Sequence, residues 1–289
     1  MRHGTSFIRL VFFYGGASAF IFASIIAFAL YSLPSQVATV KSAIPPPQTL
    51  TTDVWGIFDP VSGEIVAGNN VNAVRPIASV TKLFTAETVL MNPEKNARFA
   101  ITDADVQTEG RAGKLIHGDA VTPYELLYPL LIESSNDAAH AITRHLGEAY
   151  TTSVHSLIES LALRDTVISD GSGLSSGNVS TIYDLVHFYT HIKETSPHIL
   201  DISQLRLFIN GTEDGYVNNN PAREFPSFVG GKHGFTDEAG KTFIGSFASE
   251  NNGREIGIVL LGSHDIKADI TTLLAYGESI MDDSDIIAP

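Results

Sequence analysis

The chain has 289 residues, a formal net charge of −14 and no cysteine, with 44% of its residues hydrophobic. The length allows one large domain or two small ones with a real core. The missing cysteines exclude disulfides and thiolate metal sites, and the acidic balance disfavours nucleic acid as a partner.

The first element is apolar. Leu10 to Leu33 contains no charged residue, and as a helix it would span ~36 Å, more than the ~30 Å hydrocarbon core of a bilayer. Arg2 and Arg9 precede it and no acidic residue appears before Asp53. This predicts a cytoplasmic tail over 1–9, a single transmembrane signal-anchor over 10–33, and everything downstream outside the cell membrane, periplasmic or on the outer face. A cleaved signal peptide is the rival, but its apolar region is usually ~7–15 residues, and no clear small-x-small cleavage site follows. Residues 34–50 read as a linker, stiffened by Pro45, Pro46 and Pro47. One domain is expected over 51–282.

Within it, Val54 to Asp59 and Glu64 to Ala67 read as strands around a turn. A helix is expected from about Ala78, carrying Val80, Leu83, Phe84 and Leu90. Thr122, Pro123 and Glu125 form a helix start signal, and Pro129 should kink or shorten the helix that follows. Asn136 or Asp137 is expected to cap the next helix, and Thr181 with Asp184 announces another. Phe243 to Ala248 and Glu255 to Leu261 read as adjacent strands joined through Asn251 to Gly253. A helix over Ile270 to Ile280 closes the domain. The fold expected is α/β, with one antiparallel sheet built from both ends of the domain, flanked by helices, and a helical subdomain inserted.

Three segments carry chemistry. Ser79 and Lys82 stand three residues apart at a helix start, so both side chains lie on one face. A serine needs a base to become a nucleophile, and a neutral lysine can be that base. Alone, such a pair occurs by chance on the order of once in a chain this long. Ser134 and Asn136 follow an apolar helix. Lys232 enters a strand after Gly230 and Gly231. Each has a plain reading as a cap or a surface residue. Together they offer a nucleophile, two lysines, a second hydroxyl and a carboxamide, a complete set for acyl transfer without histidine.

These segments resemble the penicillin-recognising serine D,D-peptidases of low molecular mass, the D-alanyl-D-alanine carboxypeptidases. Their S-x-x-K, S-x-N and K-T-G patterns correspond to Ser79–Lys82, Ser134–Asn136 and Lys232–Gly234, and the likeness runs from about Val54 to Gly277. The resemblance implies a peptidoglycan stem peptide as substrate, β-lactam antibiotics as covalent inhibitors and no cofactor or metal. Ser79 would form the acyl-enzyme. Lys82 would be the base, with a pKa lowered by about 3 units through burial, Lys232 and the helix N-terminus. Ser134 would relay a proton to the leaving D-alanine, and Asn136 would hold Lys82 and the substrate amide. Lys232, His233, Gly234, Phe235 and Thr236 would bind substrate, with the Ser79 and Phe235 N–H groups forming the oxyanion hole. His233 departs from the family's usual threonine, which puts substrate preference in question.

Other features carry less. Gly173 to Gly177 matches the G-x-S-x-G elbow but lacks its strand and helix, and reads as a glycine-rich surface turn. His187 and His191 have helical metal-ligand spacing without a third ligand. The rival activities are a D,D-endopeptidase with the same catalytic set, and a β-lactamase. The second is disfavoured because Ala162 to Asn178 contains no glutamate. The non-enzymatic rival is a cell-wall binding module.

Overall fold

Strands from both ends of the domain meet in one sheet. The structure, a computed structural model, describes residues 44–110, 114–209, 215–249, 251 and 253–283. The expected tail and anchor, 1–33, lie outside the described residues, as does the linker up to residue 43. Among the described residues, no helix is long and apolar enough to cross a membrane.

The sheet has five antiparallel strands: β1 (Val54–Phe58), β2 (Ile65–Asn69), β3 (Phe228–Thr236), β4 (Gly240–Ala248) and β5 (Glu255–Ser263), in the order β2-β1-β5-β4-β3. Both its faces are covered, so its central strands read as continuous apolar runs. Alternation splits them between two cores. Val54 and Phe58 of β1 join Val259 and Leu261 of β5 against the helical block. Trp55 and Ile57 join Phe243, Phe247, Ile258 and Leu260 on the other face. That second face packs on the last helix, which runs over Ile266–Asp283, longer at both ends than its apolar pattern indicates.

The inserted block holds helices α1 (Thr81–Met91), α2 (Leu127–Ile132), α3 (Asn136–Leu146), α4 (Glu148–Ser160), α5 (Ile182–Thr195) and α6 (His198–Gln204); the last helix of the domain, Ile266–Asp283, is α7. Phe84 of α1 stacks on Phe188 of α5 with ring centroids 3.8 Å apart. Thr181 caps α5 as expected, accepting from the Asp184 N–H at 3.1 Å.

Two local expectations change. The Thr122 and Glu125 side chains do make their reciprocal bonds, at 2.8 and 3.1 Å, but regular helix begins only at Leu127. Pro129 shortens the helix as expected: it has no N–H for the Glu125 carbonyl, so residues 123–126 remain turns and α2 is six residues long. The cap of α3 is Ser135, not Asn136 or Asp137: the Ser135 hydroxyl accepts from the Ala138 N–H at 2.9 Å. That leaves the Asn136 carboxamide free to turn elsewhere.

Candidate active site

Ser79 sits on a single 3-10 turn, Ala78–Val80, that leads directly into α1. Ala78 before it is held at φ +47°, a left-handed conformation that a residue with a Cβ adopts at a cost. Three contacts hold the turn in place. The Thr242 hydroxyl of β4 donates to the Ile77 carbonyl at 2.9 Å. Asn178 donates to the Thr81 hydroxyl at 3.0 Å. Gly173 presses on Ala78 so closely that an added Cβ would lie 2.0 Å from the Ala78 oxygen.

Lys82, one helical turn on, is fully buried. Its Nζ lies 2.9 Å from Ser79 Oγ, 2.7 Å from Asn136 Oδ1 and 2.6 Å from the Ser172 carbonyl. Burial pushes the amine down from its ordinary value to about 7, against Asp170 and Asp137, whose carboxylates pull it back up. Burial, one of the three causes expected, is the largest of them. Asn136 is fixed by its other end, where Nδ2 donates to the Glu109 carbonyl at 3.0 Å.

Lys232 is also buried, on the face of β3 that meets the helices. It donates to Ser134 Oγ and to the His233 carbonyl, both at 2.8 Å. Burial first, and Lys82 second, push it well below the ordinary lysine range. Ser134 stands at φ +59° between α2 and α3, so its hydroxyl points back to β3 rather than capping the helix. Gly234 passes so near Ser79 that a Cβ there would lie 2.5 Å from the Ser79 nitrogen, which brings the backbone before Phe235 beside the nucleophile.

The structure thus brings Ser79, Lys82, Ser134, Asn136, Lys232 and Gly234 together. Three predicted substrate-binding residues lie differently. His233 pairs with Phe243, whose side chain belongs to the α7 face, and it lines a cavity of about 300 Å³ with Pro221, Phe235, Asp265 and Ile266. Its imidazole is held well below its ordinary pKa by burial, then by Lys232 and Lys82, so it is neutral. Phe235 is 61% exposed. The Thr236 hydroxyl accepts from the Ala239 N–H at 3.1 Å and closes the β3–β4 turn.

One segment has more to do than its sequence indicates. Leu174 to Ser176 are exposed, as expected of a surface turn over Gly173 to Gly177, but the residues before them are not: Gly171 and Gly173 are buried, and the Ser172 carbonyl touches Lys82. A backbone carbonyl has no side-chain signature, so only the run of Asp, Ser and Gly hinted at it. His191 of the apparent metal pair instead faces Glu87, Nε2 to Oε1 at 3.3 Å.

A family model described as D-alanyl-D-alanine carboxypeptidase matches residues 39–264. The chain belongs to this family. Among relatives, the D-alanyl-D-alanine carboxypeptidase of Mycobacterium tuberculosis is 28% identical over 216 residues, 72% of this chain and 73% of that protein. The D-alanyl-D-alanine endopeptidase of Haemophilus influenzae is 35% identical over 135 residues, 45% of this chain and 46% of that protein. In fold, this carboxypeptidase-family chain matches penicillin-binding protein D2 of Listeria monocytogenes, solved in a cefotaxime-bound form. The TM-score is 0.70 at 22% identity, covering 81% of this chain and 100% of that one. The α/β architecture with its antiparallel sheet is therefore that of the D,D-peptidases.

Proposed function

We propose that this serine-type D-Ala-D-Ala carboxypeptidase trims peptidoglycan stem peptides through an acyl-enzyme on Ser79. The observation that carries the reading is the Lys82 amine: fully buried, lowered to about 7, and 2.9 Å from the Ser79 hydroxyl. Near neutral pH a large fraction of it is unprotonated and able to take the hydroxyl proton. Ser79 Oγ attacks the carbonyl carbon of the penultimate D-alanine, and the N–H groups of Ser79 and Phe235 receive the oxyanion, each such donor being worth ~3–4 kcal/mol. The tetrahedral intermediate expels the terminal D-alanine, whose nitrogen takes a proton through Ser134. Lys232 supports that hydroxyl and supplies positive potential for the terminal carboxylate. Water, deprotonated by Lys82, then releases the shortened peptide. A β-lactam places a strained amide at the same position and acylates the same oxygen.

The test uses the full-length chain with a fluorescent penicillin and, separately, a D-Ala-D-Ala peptide. A long-lived label lost in Ser79→Ala, with release of D-alanine, is expected. Rapid penicillin turnover would instead mark a β-lactamase, and neither label nor product would leave a binding module.

D,D-endopeptidase action is the second reading, favoured by the kinship with an endopeptidase. The catalytic set is the same, so a cross-linked stem-peptide dimer offered beside the D-Ala-D-Ala peptide separates the two.

For its place in the cell, the reading is a single-pass anchor at 10–33, a linker at 34–50 and an extracytoplasmic catalytic domain over 51–282. Its support is the uncharged apolar run behind Arg2 and Arg9. Protease digestion of intact cells stripped of outer layers should remove the domain, while alkaline extraction should leave the chain in the membrane fraction.

A further inference from the structure

Lys82 has three hydrogen-bond partners, and two of them can only accept. Asn136 presents Oδ1, because its Nδ2 is committed to the Glu109 carbonyl at 3.0 Å. The Ser172 carbonyl accepts at 2.6 Å. A neutral amine has two N–H bonds and one lone pair. With both N–H bonds taken by Asn136 and Ser172, the lone pair is left facing Ser79 Oγ, 2.9 Å away. The Ser172 carbonyl therefore decides which way the base points.

A carbonyl must itself be aimed, and Asp170 aims this one. Asp170 Oδ1 accepts from Ser172 N, Ser172 Oγ and Gly173 N, each at 2.7 Å, and Oδ2 accepts from Ser175 N at 2.8 Å. Burial works against the charge, but these bonds hold the carboxyl below its ordinary range, so it is ionised. The loop is tied to α1 on either side of Lys82. Asn178 Nδ2 bridges the Asp170 carbonyl, at 2.9 Å, and the Thr81 hydroxyl, at 3.0 Å. Thr85 donates to the Gly171 carbonyl at 2.8 Å.

We propose that Asp170 is a positioning residue for acylation: it holds the Ser172 carbonyl against the Lys82 amine so that the amine's lone pair is directed at the Ser79 hydroxyl. The inference rests on the roles proposed above for Ser79 and Lys82. Asp170 acts through Ser172 and touches neither substrate nor the reacting oxygen.

The charged groups facing Lys82 are Asp170 from this loop, Asp137 from α3 and Lys232 from β3, while His233 lies on the opposite face of β3. Asp170 favours the protonated amine. Neutralising it should ease proton loss from Lys82 and move the acidic limb of the acylation profile to lower pH, while misaimed geometry lowers the plateau.

The experiment measures the penicillin acylation rate against pH in the full-length chain, for wild type, Asp170→Asn, Asp170→Glu and Ser79→Ala. For Asp170→Asn a plateau lowered ~100-fold is expected, with the acidic limb at lower pH. For Asp170→Glu the limb should return toward the wild-type position, because the charge is restored, while the plateau stays low. A plateau at the wild-type level in Asp170→Asn overturns the proposal even with a moved limb, since the charge of Asp170 alone predicts that result, and a lowered plateau with an unmoved limb overturns it too, since general disruption of the loop predicts that. If Asp170→Asn does not fold, Ser172→Ala removes one of the four donors and leaves the charge. It should lower the plateau, and an unchanged plateau overturns the proposal. Loss of labelling in Ser79→Ala upholds the underlying mechanism independently; labelling that survives there overturns both.

Discussion

Lys232 and Ser134 lie 98 residues apart in the chain and join at 2.8 Å, Nζ to Oγ. The bond links the edge strand of the sheet to the turn between α2 and α3. Lys232 is 1% exposed and pushed well below its ordinary pKa. A buried lysine depressed in this way is set up to gain from an arriving anion, which would favour its charged form.

Lys232→Ala should therefore weaken recognition of a free C-terminal carboxylate more than the hydrolytic machinery itself. A charge-assisted hydrogen bond is worth about 1.5–3 kcal/mol, so kcat/KM for a D-Ala-D-Ala peptide should drop by roughly one to two orders of magnitude. The same peptide with an amidated C-terminus should lose far less. Equal losses on the two peptides would mean that Lys232 does not read the carboxylate.

Lys82 makes a prediction about stability. Unfolded, its pKa is ~10.4; folded, it is about 7. The unfolded chain therefore binds a proton through a window in which the folded chain does not. The cost to stability is full below pH 7 and fades as pH rises toward 10.4. At pH 7 Lys82→Met should be more stable than wild type by up to about 4 kcal/mol before its lost hydrogen bonds are counted. That advantage should shrink by pH 10. Denaturant titrations of both proteins at the two pH values measure it, and an advantage that grows with pH would contradict the account.

Gly173→Ala tests the nucleophile turn. The new Cβ would lie 2.0 Å from the Ala78 oxygen and 2.4 Å from its carbonyl carbon, at φ +87°. Backbone must move, so a loss of at least ~2 kcal/mol is expected. Penicillin labelling should fall with it, while far-ultraviolet circular dichroism retains the helical signal. Wild-type labelling in this variant would show that the turn tolerates displacement.

His233→Thr should keep or raise hydrolysis of a D-Ala-D-Ala peptide. The His233 side chain pairs with Phe243 on the face of β3 opposite Lys232, and its Nδ1 is buried without a partner. Steady-state kinetics on the peptide decide the matter, and a complete loss would reveal a specific role for the imidazole.

Much of the fold was legible because its signals are local. The turn residues around Asp59 to Gly63, the apolar runs of β1, β4 and β5, and the Thr181 cap of α5 each act within a few residues. Pro129 shortens its helix by an equally local rule, by withholding an N–H from the Glu125 carbonyl. The misread cap of α3 has another cause. Ser135 outcompetes Asn136 as a cap because Asn136 is drawn to Lys82 and the Glu109 carbonyl, 54 and 27 residues away. Side-chain spacing carries no information about such distant partners.

The sequence by itself determined the chemical inventory: a serine and a lysine one turn apart, a second serine with an asparagine, and a lysine leading a glycine-rich strand. It also determined that one sheet is shared between the two ends of the domain, because alternation and apolar runs follow from the neighbours of each residue. Only the tertiary structure decided how the inventory is wired. It buries Lys82 enough to lower its pKa, sets Lys232 on Ser134 and turns His233 toward α7. It also brings the Ser172 carbonyl, held by Asp170, to the base. These depend on which surfaces close over each other, and desolvation and backbone aim exist only once the chain has packed.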